Sequence, residues 1–119
     1  MSLGVNASEF SRAWAAAWNR RDVEAVLAHF HDDAVFASPV AQRLGFGEDG
    51  VVKGKEALRR YWNGALLGNP DLHFRVHAVY EGVDTLVIAY RTQSDADRVE
   101  VLLFQDGLVV QGRGTFGVA

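Results

Sequence analysis

Residues 45–50 read GFGEDG and match the pattern G-x-G-x-x-G letter for letter. In a dinucleotide-binding fold that pattern follows a parallel strand directly and opens a helix, so that backbone N–H groups face a pyrophosphate. Neither flank fits. Pro39 closes the short apolar stretch AVFAS (34–38) well before Gly45, and VVKG (51–54) delays the next helical pattern. Glu48 and Asp49 also place two negative charges where the phosphates would sit. The stretch reads as a surface loop joining two short strands, and the βαβ plan the pattern would imply falls with it.

Upstream of this loop the sequence is helical. From about Ala7 to Arg20, Phe10, Trp14, Ala17 and Trp18 recur at spacings that share one helix face. Asn19 to Asp22 make a turn, and Asp22 can cap VEAVLAHF (23–30), which points Val23, Val26, Leu27 and Phe30 inward. His29 and His31 fall on the borders of that stripe. Downstream, KEALRRYWNGALL (55–67) buries Leu58, Tyr61, Trp62, Ala65 and Leu66 and turns Lys55, Glu56, Arg59 and Arg60 to water. GNPD (68–71) stops it.

From Asp71 the period becomes two. Leu72, Phe74 and Val76 alternate with His73, Arg75 and His77, and Leu86, Ile88 and Tyr90 alternate with Val87, Ala89 and Arg91. VEVLLFQDGLVVQGRGTF (99–116) adds two strands around the turn signal Asp106-Gly107. Three helices followed by a run of strands predict an α+β fold with an antiparallel sheet. Val99, Val101 and Leu103 oppose Leu102 and Phe104, so the sheet is apolar on both faces while helices cover one. A homodimer through the outer, convex face is the expected partner arrangement.

The 119 residues are the size of a single domain, 1–119, and 49% apolar with 23% charged residues is ordinary globular composition. A net charge of −3 gives no reason to expect nucleic acid or an anionic membrane. Without cysteine there are no disulfides, thiolate metal sites or cysteine nucleophiles. His29/His31 and His73/His77 could hold metal only with distant ligands, so no metal and no cofactor are expected. MSLGVNASEF lacks the basic and apolar regions of a signal peptide, and a cytoplasmic location is the expectation.

The order of these elements, with AWAAAWNRRDVEAVLAHFHDDAVFASPV (13–40), VKGKEALRRYW (52–62) and VEVLLFQDGLVV (99–110), resembles the nuclear-transport-factor-2-like superfamily, especially its SnoaL-like branch. The resemblance spans about Ser8 to Phe116. It implies a cone: a strongly curved sheet wrapped around three N-terminal helices (a cystatin-like α+β barrel), enclosing a mostly apolar pocket for a small apolar ligand. Ketosteroid isomerase, polyketide cyclases and non-enzymatic binding modules share that fold.

Laid on ketosteroid isomerase, Ser38 before Pro39 takes the place of the catalytic aspartate, Trp14 that of a tyrosine, and Glu100 that of a protonated aspartate. Only Glu100 keeps a carboxyl group. A serine without an adjacent base cannot remove an α-proton near neutral pH, so isomerisation by that mechanism is not expected.

Glu100 shares a strand face with Leu102 and Phe104 and should point inward, where removal from water raises its pKa. Tyr90 on the neighbouring strand can support it as a donor, which makes Glu100 and Tyr90 the candidate catalytic pair. Trp14, Trp18, Tyr61, Trp62, Ile88, Leu102 and Phe116 are candidate pocket lining together with Ser38. Gly112 and Gly114 leave their strand face bare, consistent with empty volume or with sheet curvature. Two functions stay open: acid–base chemistry on a small apolar carbonyl or polycyclic compound, and a module without chemistry that binds a small ligand or a protein.

Overall fold

The computed structural model describes residues 3–119. The first helix, α1 (Ala7–Asn19), is capped by the Asn6 side chain, which accepts from the Glu9 N–H at 3.0 Å. Asp22 caps α2 (Val23–Leu27) as its position predicts, accepting from the Ala25 N–H at 3.0 Å. That helix is shorter than the apolar period through Phe30 suggests. Phe30 instead opens β1 (Phe30–Ala37) opposite Val109, whose N–H donates to the His29 carbonyl at 2.9 Å. The distant strand satisfies the backbone there, and the Phe30 ring packs edge-on against Trp62 at 5.2 Å. Tertiary pairing outweighs the local helical period.

Pro39 does more than end β1. Ser38 Oγ accepts from the Val40 N–H at 3.1 Å, Pro39 takes the first helical position, and Gly45 closes the helix with a left-handed φ of 80°. The result is α3 (Pro39–Leu44), a fourth helix among the described residues where three were expected. GFGEDG therefore runs from the end of a helix into the short strand β2 (Val51–Lys53), ahead of α4 (Lys55–Leu67). Phosphate-binding geometry is missing on both sides.

The remaining chain is a meander of β3 (Arg75–Glu81), β4 (Thr85–Arg91), β5 (Asp97–Gln105) and β6 (Leu108–Phe116). Asp106 and Gly107 turn β5 into β6 with φ of 54° and 79°, the double positive that a two-residue hairpin demands. The fold is α+β, with six strands in the order β2-β1-β6-β5-β4-β3. All neighbours are antiparallel except β1 and β6, which run parallel. Register breaks at Val76/Ala78 and Leu103/Phe104 mark bulges, which bend strands. The curved sheet stays open, with β2 and β3 as its edges.

The core lies on the concave side, where Trp14, Leu27, Leu58, Leu86, Ile88 and Leu102 are almost wholly buried. On the opposite face Val87 pairs with Val101 and Ala89 with Val99, an apolar stripe across β4 and β5. No described helix is long and apolar enough to cross a membrane.

Candidate functional site

The helices do not fill the concave face completely. A cavity of about 320 Å³ remains, with α3, the end of α4 and Phe116 contributing to its wall. Much of that wall is aromatic. Trp14 stacks on Phe74 at 5.6 Å and meets Tyr90 edge-on at 5.0 Å, while Trp18 meets Trp62 edge-on at 5.4 Å. Such contacts hold the rings in fixed orientations, so this part of the wall is rigid before any ligand arrives.

Glu100 enters this wall from β5, as strand alternation requires. It is only 6% exposed, and its register partners are Ile88 and Gly114. Among the described residues no ion pair or hydrogen bond reaches its carboxyl group. Burial pushes its pKa up to about 8. The neutral acid, which can donate a hydrogen bond, is therefore favoured near neutral pH. The Trp18 Nε1–H is fully buried without an acceptor.

Tyr90 stands one strand away. Burial, reinforced by the Glu100 charge, raises its phenol well above the ordinary value, so it also remains a donor. The Tyr61 phenol, pushed up to about 12 by burial, donates to Ser38 Oγ at 3.0 Å. Ser38 thus accepts twice, from Tyr61 and from the Val40 backbone, and both of its lone pairs are occupied. It cannot serve as a base. Its place in the chain is first of all that of a helix cap.

The two glycines on β6 behave differently. A Cβ at Gly114 would lie 3.4 Å from Ser38 Oγ and 3.6 Å from Glu100 Oε1, so its absence leaves a niche shared by those two groups. A Cβ at Gly112 would fall 2.6 Å from the Phe36 ring, which fills the volume that the bare strand face suggested was empty. Gly112 is packed, not open. Leu102 lies beside that same ring contact, and both Leu102 and Ile88 are 0% exposed. These three belong to the core beneath the cavity and not to its lining.

Glu100, Tyr90, Trp14, Trp18, Ser38, Tyr61, Trp62, Gly114 and Phe116 do come together on the cavity wall. Arg98, Arg43 and Phe74 join them and were not anticipated. Arg98 precedes Glu100 by two on the same strand face, so alternation alone could have found it. Arg43 lies on α3 and becomes visible only once Ser38-Pro39 is read as a helix start. None of the four histidines lines the cavity, and the described residues contain no cluster of three or more groups suited to a metal ion.

The family description that fits residues 11–112 is that of the SnoaL-like domain. A SnoaL-like protein of unknown function from Burkholderia thailandensis is 36% identical, covers 94% of each chain and has a TM-score of 0.87. TerC, co-crystallised with polyporic acid, is 18% identical over 92% of this chain and 90% of its own, with a TM-score of 0.74. A protein of ketosteroid isomerase-like fold from Catenulispora acidiphila, in complex with trimethylamine, is 15% identical over 95% and 88%, with a TM-score of 0.75. The last two likenesses are of fold alone. No curated protein matches.

Proposed function

This chain belongs to the SnoaL-like domain family, and we propose that its cavity binds a small, flat, mostly apolar molecule through an oxygen that accepts from the neutral Glu100 carboxyl. The observation that carries this reading is a buried carboxyl without a partner, facing an aromatic chamber. Burying such a group is costly, and the cost is offset when a bound acceptor completes it. Tyr90, which lines the same cavity, supplies a second donor in this reading.

Acid–base chemistry by Glu100 is the second reading. A pKa of about 8 leaves both protonation states accessible near neutrality, the condition for a general acid or base. Ser38 is excluded as the base, so any proton transfer rests on Glu100.

Calorimetric titration with 2-naphthol tests the binding reading. Glu100→Gln keeps a donor and should retain affinity within about threefold, whereas Glu100→Ala should lose roughly fivefold, the value of one neutral hydrogen bond. Equal affinity in wild type and Glu100→Ala would remove Glu100 from the account. If the protein is a catalyst, Glu100→Gln separates the readings by keeping binding and losing turnover.

The convex stripe of Val87, Ala89, Val99, Val101 and Leu103 supports a further part of the proposal, a homodimer across that face.

A further inference from the structure

Two guanidinium groups share one ring at the edge of the cavity. The Arg98 Cζ lies 4.0 Å from the Phe116 ring centroid and the Arg43 Cζ lies 5.4 Å from it. Both arginines line the cavity. Four other arginines meet carboxylates: Arg20 meets Asp22, Arg59 meets Glu24 and Glu56, Arg75 meets Asp95, and Arg91 meets Asp97. Arg12, Arg21, Arg60 and Arg113 meet none among the described residues but do not line the cavity. Arg43 and Arg98 meet no carboxylate among the described residues. The Asp97 carboxylate, next in sequence to Arg98, is held by Arg91, and Arg98 donates only to the Asp97 backbone carbonyl.

The carboxyl group on the cavity wall does not supply the missing charge, because burial keeps Glu100 largely protonated near neutral pH. Two like charges are therefore brought to one ring beside a chamber that offers them no anion. Cation–π contact with the Phe116 ring limits the freedom of both guanidinium groups, and a guanidinium is suited to planar recognition of a carboxylate. Arg98 and Glu100 are two residues apart on one strand face, a backbone spacing of roughly 7 Å. A fused bicyclic aromatic bridges such a distance.

We propose that the ligand is an organic anion, with a flat apolar body in the aromatic chamber, an oxygen acceptor at Glu100 and a carboxylate held by Arg43 and Arg98 at the rim. The proposal rests on the small-molecule reading of the cavity and adds the charge, the orientation and the approximate length of what enters it. The protein's negative overall charge makes the pair a local feature and not part of a general basic surface.

The test compares 6-hydroxy-2-naphthoate with its neutral counterpart, 6-(hydroxymethyl)-2-naphthol, by isothermal titration calorimetry. The two differ in charge at the end that should meet the arginines. Wild type should bind the acid about tenfold more tightly than the alcohol, as expected for two partly exposed charge-assisted contacts. In R43Q/R98Q that preference should vanish, and continued binding of 2-naphthol, which carries no group at the arginine end, shows that the cavity is intact. R43Q alone, on the exposed surface of α3, should lose part of the preference.

Equal binding of acid and alcohol by wild type overturns the anion inference and leaves the small-molecule reading standing. A preference that survives in R43Q/R98Q overturns the assignment to these arginines. Failure of both compounds to bind overturns the two readings together.

Discussion

Glu100→Gln changes the pH dependence of stability, and the size of the change follows from one buried group. The carboxyl titrates at 4.5 in the ordinary state and at about 8 in the folded protein. Between those values the folded chain holds a proton that the unfolded chain has released. The stabilising effect of the neutral acid is therefore complete below the lower value, declines as pH rises, and is exhausted above the upper one. At about 1.4 kcal/mol per unit, the loss from pH 5.5 to pH 9 is roughly 3 kcal/mol.

Glutamine keeps the shape and does not titrate. Urea unfolding followed by tryptophan fluorescence, run on both proteins at both pH values, isolates the effect. His29, whose pKa burial lowers, acts in both proteins alike. The advantage of Glu100→Gln over wild type should grow by roughly 3 kcal/mol between the two conditions. Parallel loss of stability in the two proteins would refute the reasoning, because it would place Glu100 in a water-like environment when folded.

The remaining predictions concern packing, assembly and the glycine-rich loop. Gly112→Ala drives a methyl group into the Phe36 ring and should cost about 1–3 kcal/mol in chemical denaturation. Gly114→Ala makes only ordinary contacts with Ser38 and Glu100, so it should fold normally while weakening 2-naphthol binding. Light scattering should report a dimer mass for wild type and a monomer for Val101→Glu; a wild-type monomer at micromolar concentration contradicts the convex-face interface. Titration with reduced nicotinamide dinucleotide should give no saturable heat, because GFGEDG joins a helix to a short strand and carries Glu48 and Asp49.

Local periodicity revealed the parts of this fold that depend on local pattern. Alternation through Val99–Phe104 placed Glu100 on the concave face, and helical spacing put Trp14, Trp18, Tyr61 and Trp62 on inward faces. The misses are non-local or rest on an unread cap. Phe30 left its helix because Val109, far along the chain, offered a strand partner. The parallel pairing of β1 with β6 has no local signal at all. Ser38-Pro39 followed by Gly45 carries a helix signal, but Pro39 reads equally well as a strand terminator, and that reading gives Arg43 no place on the site. A bare strand face at Gly112 is compatible with empty volume or with curvature and says nothing about Phe36 reaching over it from β1.

Carbon-13 NMR titration of the Glu100 side-chain carboxyl, assigned by comparison with Glu100→Gln, addresses the central claim directly. A single carboxyl with a midpoint near pH 8 is the predicted result, moving higher when 2-naphthol binds the neutral form. A midpoint near 4.5, unchanged by the phenol, would show an exposed carboxylate and contradict the account.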